Sequence, residues 1–214
     1  METPYIDIHT HRHRTEPDEI RIFSLRMGNG VALPEGFFSA GIHPWDAEKT
    51  DAEALTDFPV GNPFLKAVGE TGLDFAARNV DPQKQLVLFC KQLDLAERLD
   101  LPVIIHCVKA WEEVLSEVKH RNLKATVIHG FTGSRQLATE LTRHGFYLSF
   151  GMRTFVSPKT MEALQETAPE RIFLETDEAP ETIREVYERA AEVLGKEETE
   201  LKERLFTNYK KVFG

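Results

Sequence analysis

The sequence predicts an α/β fold, a (β/α)8 barrel in one domain spanning residues 1–214, and three observations carry that expectation. Eight short apolar runs alternate with longer helical patterns, the order that builds a parallel sheet. Residue types that bind metals or carry protons end several of those runs, which is where a barrel gathers its active site. No linker or internal repeat divides the chain, and its length suits one core.

The expected strands are "PYIDIH" (4–9), "EIRIFSL" (19–25), "GFFSAGI" (36–42), "FLKAVGE" (64–70), "LPVIIHC" (101–107), "ATVIHGF" (125–131), "FYLSFG" (146–151) and "RIFLETD" (171–177). Helices are expected over 81–100, 110–122, 134–145, 181–195 and 196–213. In the first helix Leu86, Phe89, Leu93, Ala96 and Leu99 recur at three- and four-residue steps, the apolar stripe of a helix packed on a sheet. Asp81 suits its N-cap and Pro82 its first helical position.

Composition narrows the function classes. With 41% hydrophobic and 29% charged residues the chain reads as a soluble globular protein. It has no run of about 18 apolar residues and no basic segment followed by an apolar one at its start, so no membrane span or signal peptide is expected and the location follows as cytoplasmic. Cys90 and Cys107 match no disulfide or metal pattern and read as structural residues of a reducing compartment. A net charge of −9 argues against a broad basic surface for duplex DNA.

The chemistry begins in "PYIDIHTHRH" (4–13). Side chains two apart on a strand share a face, so Tyr5, Asp7, His9 and His11 line one side while Ile6 and Ile8 line the other. Imidazole and carboxylate are the ligands that zinc, manganese and related ions accept. Alone, an H-x-H at a strand end is most often solvated polar sequence. The later runs add Glu70, His106, His129 and Asp177 at their ends, each in phase with an inward position two residues earlier. Any one of these is most often a hydrogen-bonded histidine or a loop cap. Six at one mouth would put several costly polar groups in one cavity, which needs metal or substrate to satisfy them.

Seven motifs, "DIHTH", "GIHPW", "VGETGLDF", "LPVIIHC", "VIHGFTGS", "YLSFGMRTF" and "FLETDEAP", resemble in order the signatures of the TatD-type metal-dependent deoxyribonucleases, a branch of the amidohydrolase-like barrels. The resemblance runs from residue 4 to about 180, and the closing "LFTNYKKVFG" is similar to the family's C-terminus. It implies His9, His11, Glu70, His106, His129 and Asp177 as metal ligands, and hydrolysis of DNA ends with magnesium, manganese or zinc.

On that resemblance, two cations share an activated water. His9, His11 and Asp177 are expected around one ion, His106 and His129 around the other, and Glu70 as the bridging, catalytic carboxylate. Asp177 is expected to take the proton of the attacking water. Asp7, one step deeper on the same face, either orders a ligand histidine, the favoured role, or approaches the metal. His43 of "GIHPW" is expected to contact substrate, and Lys109 and Arg153 to meet phosphate oxygens. Trp45, Phe131 and Phe155 are candidates for stacking on unpaired bases or for closing the core. "TGS" (132–134) is either an anion site or ordinary helix capping.

Two departures from the family stand out. Only "RHRTEPD" and "RMGNGVALPEG" flank the second expected strand where the family usually has two full helices, so the barrel is expected to be trimmed near its N-terminus. "ETDEAP" runs almost directly into the next helix, without the family's longer basic segment. The favoured function is therefore a metal-dependent nuclease acting on single-stranded or frayed DNA ends. The alternatives are a hydrolase of small esters, amides or phosphodiesters on the same barrel, or a non-catalytic, metal-bearing interaction module. With helices missing, Ile6, Ile8, Ile22 and Phe23 are expected to be covered by the C-terminal helices or by a partner subunit.

Overall fold

The computed structural model describes residues 2–12, 16–28, 32–50 and 52–214. Eight strands lie in chain order in one sheet: β1 (Tyr5–Thr10), β2 (Glu19–Arg26), β3 (Phe38–Gly41), β4 (Leu65–Asp74), β5 (Val103–Val108), β6 (Thr126–Ile128), β7 (Tyr147–Phe150) and β8 (Ile172–Leu174). The pairing is parallel, and a further parallel bridge from Thr10 to Asp177 joins the first strand to the chain leaving the last. This is the expected (β/α)8 barrel. Six helices accompany it: α1 (Pro82–Leu99), α2 (Trp111–Lys119), α3 (Arg135–Arg143), α4 (Pro158–Glu166), α5 (Ile183–Leu194) and α6 (Glu198–Phe213).

Among the described residues no α-helix precedes Pro82. Part of each short connection around β2, residues 13–15 and 29–31, lies outside the described residues. The α4 helix is not among the expected elements. It is short, with Ser157 as N-cap and Pro158 opening it, and its buried residues are Thr160, Ala163 and Leu164, too weak a stripe to stand out by period.

The chain packs as two compact units, residues 24–127 and residues 1–23 with 128–214. In the second of these, α5 and α6 pack on β1. Ile6 and Ile8 are fully buried there, and the Tyr187 hydroxyl of α5 accepts the Ile6 amide at 3.1 Å. Ile22 and Phe23 are buried as well. The C-terminal helices thus cover the outward face of β1.

In the unit of residues 24–127, α1 starts as expected: Asp81 caps it by accepting the Gln83 amide, and Pro82 opens it. Its buried face is rotated from the expected stripe and contains Gln85, Leu88, Phe89, Gln92, Leu93, Leu95 and Ala96. The two glutamines are seven residues apart, hence on one helical face. Gln85 accepts the Asp74 amide at 2.7 Å and donates to the Asp74 carbonyl at 3.0 Å. Gln92 does the same for Ile42, at 2.7 and 3.1 Å. Each glutamine therefore fixes the backbone where a candidate site residue emerges.

Candidate metal centre

β1 and the segment after β8 build one cluster. Asp177 donates its amide to the His9 carbonyl at 2.9 Å and accepts the His11 amide at 3.2 Å. Its φ of 52° is left-handed, a conformation that aspartate tolerates better than most residues. The carboxylate is thereby set between the two imidazoles, 3.7 Å from His9 Nε2 and 3.6 Å from His11 Nε2. His9 is buried, whereas His11 and Asp177 are partly open to solvent.

His129 follows β6 and joins this cluster, its ring centroid 4.1 Å from that of His9. Glu175, fully buried, accepts the Gly130 amide at 2.7 Å and lies 3.3 Å from His129 Nδ1. A proton on Nδ1, donated to Glu175, leaves the lone pair on Nε2 for a metal, the usual way a carboxylate orients a ligand histidine. The donor atoms of His9, His11 and Asp177, and those of His129, Glu175 and Asp177, each lie within 4.8 Å of one another. Glu175 Oε2 is buried without a hydrogen-bond partner. A buried carboxylate oxygen in that state is costly unless a cation meets it, so nitrogen and oxygen donors and the unmatched oxygen together fit a divalent ion.

The second cluster lies within residues 24–127, on β4, β5 and the turn after β3. Glu70 Oε1 stands 2.9 Å from His106 Nδ1 and 3.2 Å from His43 Nε2, and this triple too has donor atoms within 4.8 Å of one another. The approach of β4 to β5 depends on Gly72, which pairs with His106. A Cβ on Gly72 would lie 2.0 Å from the His106 carbonyl oxygen.

His43 is held differently from the other imidazoles. Its Nδ1 accepts the Trp45 amide at 3.1 Å. Burial draws its pKa down, against the hydrogen bond and charge of Glu70, so the ring is neutral with its proton on Nε2, donated to Glu70. That tautomer makes His43 a hydrogen-bond donor and leaves Nε2 no lone pair for a metal.

Asp74, which no motif singles out, lies 3.5 Å from His106 Nε2. It accepts the Trp45 indole N–H at 2.7 Å and the Ala76 amide at 2.9 Å. Burial works to raise its pKa, but the bonds from Trp45 and Ala76 and the nearby His106 hold the carboxyl below its ordinary range.

The structure brings His9, His11, His129 and Asp177 together in one unit, and Glu70, His106 and His43 in the other. Asp7 meets Thr176 instead of an imidazole ring: its carboxylate accepts the Thr176 amide at 3.1 Å and hydroxyl at 2.7 Å. Burial pushes the Asp7 pKa up to about 8, with the Thr176 bonds acting against the rise. Glu175, not named among the expected site residues, is the carboxylate that meets the His129 ring. Its signal was the spacing of two from Asp177 in "ETD". Lys109 follows β5 and Arg153 lies in the turn Met152–Val156 after β7; both are exposed and, among the described residues, neither forms an ion pair. Phe131 is buried against Phe150, and Ser134 of "TGS" caps α3 by accepting the Leu137 amide.

A (β/α)8 barrel with imidazole and carboxylate groups gathered at its strand ends has the fold and donor set of the metal-dependent hydrolase barrels. The profile of the TatD-related DNase family matches residues 23–214, and the chain belongs to that family. His9 and His11 precede the matched span, so their place in the site rests on their geometry with Asp177. A "3'-5' ssDNA/RNA exonuclease TatD" of Erwinia amylovora is 35% identical over 148 residues, 65% of this chain and 56% of the relative. An "uncharacterized metal-dependent hydrolase" of Bacillus subtilis is 35% identical over 147 residues, 66% of this chain and 58% of the relative. The matches thus span a little over half the length of these curated relatives. The solved structure of a TatD homologue from Escherichia coli K12 superposes with a TM-score of 0.85 at 23% identity, covering 100% of this chain and 99% of that one, which supports the barrel. No helix among the described residues is long and apolar enough to cross a membrane.

Proposed function

We propose that this chain is a metal-dependent nuclease that hydrolyses phosphodiester bonds at single-stranded or frayed DNA ends. The observation that carries the reading is the seating of the Asp177 carboxylate between His9 and His11, in a cluster with Glu175, one of whose buried oxygens is unmatched. His9, His11, His129 and Asp177 are the residues to hold one divalent cation, with Glu175 orienting His129. Glu70 and His106 are the residues to hold another, with Asp74 orienting His106. Zinc, manganese or magnesium bound there would lower the pKa of a water and stabilise charge on the attacked phosphoryl group.

The protein's own groups supply the rest. Asp177, partly open to solvent, accepts the proton of the attacking water. His43 presents the Nε2 proton that Glu70 now accepts; with Glu70 holding a cation, it would donate that hydrogen bond to a phosphoryl oxygen. Lys109 and Arg153 neutralise phosphate oxygens, an Arg–phosphate contact being the more directional of the two. The Erwinia amylovora relative, named a 3'-5' ssDNA/RNA exonuclease, supports this substrate class.

The test is metal analysis of the purified chain, followed by hydrolysis assays on single-stranded DNA, duplex DNA, RNA and small esters. Single-stranded DNA cleaved in the presence of bound metal, with loss on chelation, is the expected result. Turnover of small esters alone would replace the nuclease reading with that of a small-molecule hydrolase. Bound metal without any turnover would point to a non-catalytic barrel.

A further inference from the structure

Trp45 is half exposed, at 50%, yet its indole is pinned. The ring N–H donates to Asp74 at 2.7 Å, and the Trp45 amide donates to His43 Nδ1 at 3.1 Å. Its centroid lies 4.6 Å from that of His43 and 6.1 Å from that of His106. A large flat surface is thus held against two imidazoles of one cluster while half of it faces solvent. Arg26 adds a cation there, its guanidinium carbon 5.9 Å from the indole centroid and its Nε paired with Asp46. These contacts engage the edge N–H, the backbone and part of the ring, and still leave Trp45 half exposed.

We propose that Trp45 forms a nucleobase subsite, stacking on the base of a nucleotide whose phosphate lies at the Glu70–His106 cluster. The proposal rests on the nuclease reading above. In a nucleotide, base and phosphate are separated by one sugar, so a phosphate at the cluster brings its base to the adjoining indole. An aromatic face stacks on any base, and only on one freed from its neighbours, so this contact selects unpaired ends without reading sequence. Arg26 adds a cation near the stacked pair. The pinning by Asp74 matters because a preorganised ring loses little freedom when a base arrives.

The experiment compares a single-stranded oligonucleotide with copies carrying an abasic sugar at each of the last three positions. Both are assayed on the unaltered chain and on Trp45→Leu and Trp45→Phe. In the unaltered chain one abasic position should raise KM about tenfold, with little change in kcat. Trp45→Leu should treat the intact and abasic strands alike, and Trp45→Phe should keep part of the discrimination. The second tryptophan is Trp111, so in a Trp111→Phe background the intact strand should quench Trp45 fluorescence and the abasic strand should not. Equal KM on all strands in the unaltered chain, or an abasic penalty undiminished in Trp45→Leu, overturns the subsite while leaving the nuclease reading intact. Failure to hydrolyse any strand overturns the nuclease reading, and the subsite with it. If Trp45→Leu does not fold, Trp45→Phe and the quenching measurement decide the matter.

Discussion

Asp177 is joined to His9 twice, by a 2.9 Å hydrogen bond from its amide to the His9 carbonyl and by a carboxylate 3.7 Å from the His9 ring. The backbone bond fixes where the carboxylate can be. The position of the acid is therefore independent of its charge, and charge and position can be separated by substitution.

Asp177→Asn should keep the fold, because asparagine also tolerates the left-handed backbone and the amide bond to His9 does not involve the side chain. Hydrolysis should fall by about 10²–10⁴-fold, the usual contribution of a positioned general base, and further if metal is lost. Circular dichroism should be unchanged beside the lost rate. Full activity with metal bound would remove Asp177 from its role.

Glu175→Gln replaces the carboxylate that orients His129 with an amide that still reaches Gly130. Weakening such an orienting partner typically costs about 10–100-fold in metal affinity. Competition with a chelator of known affinity should show that loss, and unaltered affinity would mean that His129 needs no carboxylate behind it.

Gln92→Leu leaves the Ile42 amide and carbonyl inside α1's packing without their partner. Each unpaired buried polar group costs about 1–3 kcal/mol, so unfolding free energy should drop by about 2 kcal/mol or more. Denaturant melts should report this drop. Since Ile42 precedes His43, activity should fall as well.

Affinity for oligonucleotides should depend only weakly on salt. Lys109 and Arg153 are the two proposed phosphate contacts on a chain of net charge −9, which predicts a slope equivalent to about two phosphates. Rates should favour short single strands over intact duplex, since unpairing a base costs a few kcal/mol. A steep slope, or faster cleavage within duplex, would reveal a nucleic-acid surface elsewhere on the molecule.

Cys90 should be a slow thiol. Burial and the Glu117 carboxylate it donates to raise its pKa to about 11. Its thiolate fraction at pH 8 is then about 100-fold below that of an ordinary cysteine. Alkylation rates should rise through pH 11, and Glu117→Gln should bring the midpoint down. The folded state keeps this thiol protonated longer than the unfolded chain does, so its contribution to stability is complete below about pH 9 and fades as pH climbs through 11.

Strand number and order were legible in the sequence because buried parallel strands read as continuous apolar runs, and His9, His11, His129 and Asp177 because each stands at such a run's end. Glu175 was passed over because a glutamate inside an apolar run looks like a phase marker until its partner is seen. The grip of Gln85 and Gln92 on strand ends was hidden because local pattern scores a glutamine on a helix as a surface residue. The bonds of Asp7 to Thr176 were hidden because period alone says which face a side chain takes, not which neighbour reaches it first. His43's protonation depends on the Trp45 amide folding back, a turn geometry that residue types leave open.

The order in which the chain is synthesised gives the packing of β1 another meaning. Residues 24–127 are an uninterrupted stretch, whereas β1 belongs with residues 128–214, and Ile6 meets Tyr187 across 181 positions. At about 5–20 residues per second a ribosome needs roughly ten to forty seconds to make that interval. The strand carrying His9, with His11 just beyond it, thus emerges long before the helix that covers it. Until then its apolar Ile6 and Ile8 are open to solvent, to chaperones and to other nascent chains, and the metal cluster completed by Asp177 does not yet exist.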